Sequence, residues 1–347
     1  MNETTLQATA HTLVAPGRGI LAADESAGTC EKRFSAVGIA SNEENRRKYR
    51  QILITAPVVA ETLSGMILFE ETFWQRTDEG KPFTAFLADH GVLPGIKLDL
   101  GLQDLAGFPE EKVSVGLDTL VQRIEPFARA GARFAKWRSV LSVGSDLPSD
   151  TCLEANAAVL ARYARICQEF DIVPIVEPEV LYDGNHTLEQ CEQAMVRAYD
   201  ALFAAMDRYR VSITGAILKT SMVLPGKDSG IQMDHQAVAE ATVRALHGHV
   251  PKTLGGVVFL SGGQTPRDAF ANLNRIAQLG PHPWGVTFSY SRGIQDPVLM
   301  TWAKSPDDSR AAVAVYEQML SVAVSAREGR LDETSELDAF VSQSQDL

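Results

Sequence analysis

Eight short apolar runs, bounded by turn residues and mostly separated by helix-patterned stretches, constrain the fold of this chain more than any other feature. They are Gly19 to Asp24, Met66 to Glu71, Gly95 to Asp99, Arg133 to Arg138, Val173 to Glu179, Gly215 to Thr220, Gly256 to Gly263 and Trp284 to Arg292. Compact runs of this kind suit strands buried on both faces, and strand–helix repeats imply right-handed crossovers and a parallel sheet. The 347 residues leave room for two ordinary domains or one large barrel. Eight successive units predict an α/β fold with a single (β/α)8 TIM barrel. The alternative, an open doubly wound sheet, often carries a G-x-G-x-x-G fingerprint, which is absent.

The intervening segments carry helix signals. Thr187-Leu-Glu-Gln190 reads as a capping box, followed by Leu188, Cys191, Met195 and Leu202 at near-helical spacing. Thr265-Pro266 reads as an N-cap with proline at the first helical position, with Gly280 as the stop. Ser305-Pro306 predicts the start of another helix, and Glu154 to Phe170 is alanine-rich and amphipathic. The expected organisation is a barrel over 1–328 and a polar, acidic, mobile tail over 329–347.

A net charge of −12 argues against a nucleic-acid coat or a membrane-surface binder, but leaves room for a local anion site. The N-terminus has no basic region followed by an apolar stretch, and no run approaches the roughly 20 apolar residues that span a bilayer. Cys30, Cys152, Cys167 and Cys191 form no C-x-x-C pair, so they are expected as reduced, mostly buried thiols of a cytosolic protein. No metal is expected: His247 and His249 stand beside Gly248 at a predicted helix end, and the other histidines form no cluster.

Polar residues recur at the C-terminal ends of the runs: Asp24, Glu71, Lys97, Lys136, Arg138, Glu177, Glu179, Lys219, Ser261, Ser289 and Arg292. In a barrel these ends converge on one mouth. Lys219 has no charged neighbour nearby in sequence; a desolvated amine there would serve as a nucleophile toward a carbonyl, or the lysine would simply pair with a carboxylate. Lys136 and Arg138, two apart, share a strand face, where two cations would repel and make an anion site, or would pair with acidic residues of the next strand. Glu177 and Glu179 likewise share a face in the next run, either for acid–base work or as a charge ladder. Asp24 leads into Ser26 and Thr29, a loop suited to an anion or an ordinary N-cap. Ser261-Gly262-Gly263 can bring backbone N–H groups to a phosphate, with Arg292 as a clamp, and Lys97 with Ser26 offers a second anion site.

Taken together, GRGILAADES, EENRRKYRQ, SGMILFEET, PGIKLDLG, AKWR, VPIVEPE, ILKTSMVLPG, FLSGGQ and TFSYSR resemble class I fructose-bisphosphate aldolase, in the same order from about His11 to about Arg327. The resemblance implies an aldehyde-lyase that cleaves fructose 1,6-bisphosphate reversibly to dihydroxyacetone phosphate and glyceraldehyde 3-phosphate. It also implies a lysine Schiff base in place of any cofactor or metal. It further implies a cytoplasmic enzyme of glycolysis and gluconeogenesis, commonly a homotetramer, whose partner is a phosphorylated sugar and neither nucleic acid nor membrane. By resemblance Lys219 forms the imine, Glu177 is the acid–base, Asp24 handles the C4 hydroxyl proton, Lys136 assists near the ketone and Glu179 tunes the cluster. Arg33, Ser261, Gly262, Gly263, Ser289, Ser291 and Arg292 match substrate-phosphate contacts, and Ser26, Thr29, Lys97 and Arg138 line the other end.

Four departures from the family pattern stand out. Ser291 replaces a glycine at a backbone expected to approach phosphate, Leu100 replaces a lysine, and Thr220-Ser221 replaces Pro-Asn. The chain ends Gln345-Asp346-Leu347 where animal members end in a functional tyrosine, which implies a slower or rerouted proton step and a bacterial or otherwise divergent source.

Overall fold

A computed structural model describes residues 1–332. Its strands are β1 (Gly19–Ala23), β2 (Leu63–Leu68), β3 (Leu93–Lys97), β4 (Leu102–Asp104), β5 (Lys112–Ser114), β6 (Phe134–Leu141), β7 (Val173–Val180), β8 (Ile217–Thr220), β9 (Gly256–Phe259) and β10 (Val286–Tyr290). Eight of them close a parallel barrel in the order β1-β10-β9-β8-β7-β6-β3-β2; β4 and β5 form a separate antiparallel pair. Each of the eight apolar runs supplies one barrel strand. Every residue of β1, β2, β7, β8 and β9 is buried, as strands covered on both faces require.

The barrel floor is closed by a helix that the strand pattern does not announce. Leu6, Ala10 and Leu13 of Glu3–Leu13, with Val14, pack into a cluster with Ile20, Ile67, Phe134, Ile175, Ile217 and Val258. Glycines at the strand starts make room for it. A Cβ on Gly65 would lie 2.7 Å from Leu13 Cδ2, and one on Gly256 would lie 2.5 Å from Val14 Cγ1. With the floor plugged, the barrel interior faces a ligand from its C-terminal mouth.

The capping box at Thr187 and Gln190 forms, opening the helix Leu188–Arg208, and Thr265 caps Pro266–Gln278. The expected helix start at Ser305 is wrong. Ser305 instead ends the helix Arg292–Lys304, the Pro306 carbonyl accepts Trp302 Nε1 at 3.2 Å, and the next helix begins at Arg310. The Met66 to Glu71 run also ends early as a strand: Glu71 lies in a short helix, Glu70–Trp74, paired with Arg46 at 2.6 Å. Of the expected mobile tail, Leu331 is buried and exchanges hydrogen bonds with the Asn274 side chain; residues 333–347, including the C-terminal Gln345-Asp346-Leu347, lie outside the described residues. All four cysteines are buried free thiols.

The loops after β7 and β8 are zipped together. Gly226 N donates to His186 O at 2.7 Å, Lys227 N to Tyr182 O at 2.8 Å and Asp228 N to Gly184 O at 2.8 Å. A Cβ on Gly226 would sit 2.7 Å from the Gly184 carbonyl carbon and 2.8 Å from His186 N, both backbone atoms that cannot swing aside. Gly226→Ala should therefore part the loops and cost about 3 kcal/mol, read as a lowered urea midpoint; an unchanged midpoint would show that the zipper tolerates separation.

Candidate active site

Barrel register brings the charged residues together. Lys136 on β6 lies beside Lys97 on β3, and Arg138 lies beside Glu177 on β7. Lys219, one residue from the end of β8, follows Leu218, which pairs with Val176. The turn beyond Lys219 is set by the two residues that depart from the family pattern. Thr220 Oγ1 meets Tyr199 Oη at 2.7 Å, and Ser221 Oγ donates to Val180 O at 2.8 Å.

Four buried groups form an alternating row. Asp24 Oδ2 is 2.7 Å from Lys136 Nζ, Lys136 Nζ is 3.2 Å from Glu177 Oε2, and Glu177 Oε1 is 3.2 Å from Lys219 Nζ. The side chains of Lys136 and Lys219 are 5% and 4% exposed, so these charges interact in a poor dielectric. Asp24 Oδ2 and Glu177 Oε2, though within ion-pair reach of Lys136, accept no well-directed hydrogen bond and keep acceptor capacity at the centre of the mouth.

The electrostatics separate the two lysines. Burial alone would lower the Lys136 pKa, but the charges of Asp24 and Glu177 outweigh it and hold the amine protonated well above its usual range. Burial alone would raise Asp24; Lys136 and Lys219 overcome it and hold the carboxyl well below the usual carboxylate range. Glu177 is lowered in the same way, with burial opposed by Lys136, Lys219 and Arg138. Of the two readings of the β6 cations, the ion pairs follow the one with partners on the next strand: Lys136 is bracketed by Glu177 and by Asp24, and Arg138 is paired with Glu179. Lys219 is both buried and paired, with a single carboxylate rather than two.

The remaining residues divide into two groups. Ser261 is buried beyond β9, and Gly262 and Gly263 take φ of +56° and +89°, values that favour glycine. Ser261 Oγ accepts from Gly293 N at 3.4 Å, joining this loop to the start of the helix Arg292–Lys304. Arg292 is exposed beside Gly263, where a Cβ would lie 3.4 Å from its guanidinium. Ser289 Oγ is buried with no hydrogen-bond partner.

Across the mouth the cations are already engaged. Lys97 pairs with Asp99 at 2.7 Å and Arg138 with Glu179, while Arg33, on the side of the helix Arg292–Lys304, bonds Glu25 and, at 2.8 Å, Asp296 of that helix. Ser26 acts as an N-cap, accepting from Thr29 N at 3.4 Å and meeting Thr29 Oγ1 at 3.2 Å. Leu100 is 58% exposed, where the family pattern would place a charge.

Sequence reasoning missed several residues that organise this mouth. Asp99, buried, ties Lys97 and also accepts from Arg138 N at 3.3 Å; it stands in the Gly95 to Asp99 run and was legible there. Gln264 Nε2 donates to Ser261 O at 3.1 Å, and Asn272 Nδ2 donates to Gln264 Oε1 at 2.7 Å, a chain from the loop after β9 into the helix Pro266–Gln278 that no local pattern signals. His247 and His249, the H-x-H pair, lie in the last turn of the helix His235–His249, bonded to His282 and Asp200 rather than to each other. A groove of about 620 Å³ elsewhere, between the helices Asp150–Glu169 and Leu188–Arg208, is lined by Leu153, Ala157, Ala201 and Arg197 and contains no lysine.

The chain is similar in sequence and fold to known proteins. Residues 5–345 match the family described as fructose-bisphosphate aldolase class-I. A probable fructose-bisphosphate aldolase class 1 of Xanthomonas campestris is 50% identical over 315 residues, covering 90% of this chain and 94% of the relative. Cytosolic fructose-bisphosphate aldolase 4 of Arabidopsis thaliana is 49% identical over 288 residues, covering 83% and 73%. The fold superposes on fructose-bisphosphate aldolase from Plasmodium falciparum, solved in complex with TRAP and a small-molecule inhibitor, with a TM-score of 0.93, 42% identity and coverage of 95% and 96%. The chain belongs to the class I fructose-bisphosphate aldolase family and is a lyase.

Proposed function

We propose that the chain cleaves fructose 1,6-bisphosphate through an imine on Lys219. The observation that carries this reading is the asymmetry of the two buried lysines: Lys136 is held cationic between two carboxylates, whereas Lys219 faces one, Glu177, at 3.2 Å. A proton passing from the Lys219 ammonium to the Glu177 carboxylate leaves a nucleophilic amine and a protonated acid in one step. The amine adds to the C2 ketone. Glu177 returns the proton to the carbinolamine hydroxyl, which departs as water and leaves the iminium. Lys136 stabilises negative charge near that oxygen. The iminium draws the C3–C4 bonding electrons toward nitrogen as the Asp24 carboxylate takes the C4 hydroxyl proton. Glyceraldehyde 3-phosphate leaves, and protonation of the enamine at C3 followed by hydrolysis releases dihydroxyacetone phosphate. Glu179, bonded to Arg138, balances charge beside the row.

One phosphate fits the loop Ser261–Gly263 with Arg33, Ser289, Ser291 and Arg292; the other end of the sugar faces Ser26, Thr29, Lys97 and Arg138. Borohydride added with substrate should leave a three-carbon adduct on Lys219, located by peptide mass analysis. An adduct on Lys136 would overturn the assignment, and inhibition by a chelator would point to metal chemistry instead.

A second reading has its own support. Arg292 is exposed with no ion pair among the described residues, whereas Lys97 and Arg138, at the other end, are both paired with carboxylates. One phosphate end is therefore stronger than the other, and fructose 1-phosphate would be a competent substrate. Comparable kcat/KM for the mono- and bisphosphate supports it; a large preference for the bisphosphate opposes it. The family placement also supports a cytoplasmic homotetramer serving glycolysis and gluconeogenesis, which sedimentation and cell fractionation would test.

A further inference from the structure

Ser291 stands immediately before the helix Arg292–Lys304 with a φ of −113°, outside the left-handed region that calls for glycine. A serine in that position usually turns its oxygen back to accept a first-turn N–H. This one does not. It makes no side-chain cap, and its hydroxyl donates instead to Glu25 Oε1 at 2.6 Å. Its side chain is thus committed to a partner at a backbone that the resemblance leads one to expect near a phosphate.

Glu25 is the centre of a buried cluster. Its carboxylate also receives Arg33 Nη1, Arg50 Nη2 at 2.7 Å and Gln295 Nε2 at 3.0 Å. Burial alone would raise the Glu25 pKa, but Arg50 and Arg33 hold it below its ordinary value, so it remains an anionic acceptor. Gln295 extends the cluster, donating to Ala22 O on β1 at 2.6 Å and to Ser291 Oγ at 3.2 Å, while its Oε1 accepts from Arg50 Nη1 at 3.3 Å. Tyr49 Oη donates to the Gln295 carbonyl at 3.0 Å. The cluster lies between two parts of the mouth: Asp24, adjacent to Glu25, and the helix start that carries Arg292 and Gly293.

We propose that Ser291 is a positioning residue for the phosphate end of the site, its hydroxyl fastening the start of the helix Arg292–Lys304 to Glu25 beside Asp24. The strut leaves the first-turn N–H groups uncapped by Ser291 itself, and it sets the distance between the phosphate loop and the carboxylate that handles the sugar. Its contribution belongs to binding and placement, not to the bond-breaking step. The proposal rests on the sugar-phosphate reading of this mouth.

The test is steady-state kinetics on the full chain with fructose 1,6-bisphosphate, and inorganic phosphate as a competitive probe. Ser291→Ala should raise both KM and the phosphate inhibition constant about tenfold, the scale of a hydrogen bond to a charged group, with kcat within about twofold. Ser291→Thr, which keeps the hydroxyl, should recover both constants. Unchanged constants in folded Ser291→Ala, or a lower kcat at constant KM, would overturn the proposal. Should the alanine variant fail to fold, Ser291→Cys, of similar size and a weaker donor, should show a smaller parallel rise; wild-type constants there would also overturn it. A wild-type enzyme that neither cleaves the sugar nor responds to phosphate would overturn the sugar-phosphate reading and the proposal with it. Normal wild-type turnover with an indifferent Ser291→Ala variant would overturn the positioning role alone.

Discussion

Lys219→Met should lower kcat by about 10⁴-fold or more, on the scale seen when an enzyme loses its covalent nucleophile. Without the amine no imine can form, and a neutral ketone is too weak an electron sink to release C3–C4 at a useful rate. Stability should change far less than activity, because Glu177 keeps Lys136 as a counter-ion at 3.2 Å. Lys219→Arg separates charge from nucleophilicity. A guanidinium preserves the positive charge opposite Glu177 but stays protonated and cannot attack a carbonyl. Both variants should be equally silent and untrapped by borohydride. Substantial turnover by the arginine variant would mean that Lys219 acts only as a charge.

Lys136→Met should have the second-largest effect and should damage the fold as well as the chemistry. It removes the cation 2.7 Å from Asp24 and 3.2 Å from Glu177, leaving buried carboxylates with less compensation. Breaking one side of a buried ion pair typically costs about 3–5 kcal/mol. The pH dependence carries the sign. In the wild type Asp24 and Glu177 are lowered, so their stabilisation is complete above an unfolded carboxylate pKa of about 4 and fades only as the pH falls through their folded values. Lys136 is raised, so its stabilisation is complete below an unfolded lysine pKa of about 10 and fades as the pH climbs above that toward its folded value. This cluster therefore leaves wild-type stability flat between about pH 5 and 9. In Lys136→Met, Asp24 loses its strongest counter-charge and its carboxyl titrates at a higher pH. The deficit against wild type should be largest near neutrality and shrink toward pH 4, where protonation removes the uncompensated charge. Urea midpoints at pH 4, 5.5 and 8 would measure this; a deficit independent of pH would show that the lost cation was not compensating a carboxylate.

What could be read in advance follows from the range of each interaction. The strands were legible because Ile20, Ile67, Val176 and Val257 belong to runs that stay apolar enough to be buried on both sides until their polar C-terminal ends. The helix Glu3–Leu13 carried a usable signal in Leu6, Ala10 and Leu13, but its role as the barrel floor depends on glycines distant in sequence. Ser305-Pro306 misled because a serine before proline is compatible with ending one helix as well as starting another, and the choice was made by Trp302 bonding to Pro306 O. The hairpin of β4 and β5 is only three residues per strand, too short for alternation to register.

The sequence by itself determined the barrel, because alternating strand and helix units have few ways to bury both faces of a parallel sheet. It also determined which residue types stand at the mouth, since a side chain's place along its strand decides which end it reaches. Only the tertiary structure decided who pairs with whom. Asp24 meets Lys136 from the far side of the chain's order, Arg138 is given to Glu179, and Ser291 is turned onto Glu25. Those choices separate the lysine between two carboxylates from the one with a single ion-pair partner, and the engaged cations from Arg292. The physical reason is that a charge's state depends on every neighbour within a few ångströms after closure of the barrel, and sequence spacing says nothing about neighbours contributed by other strands.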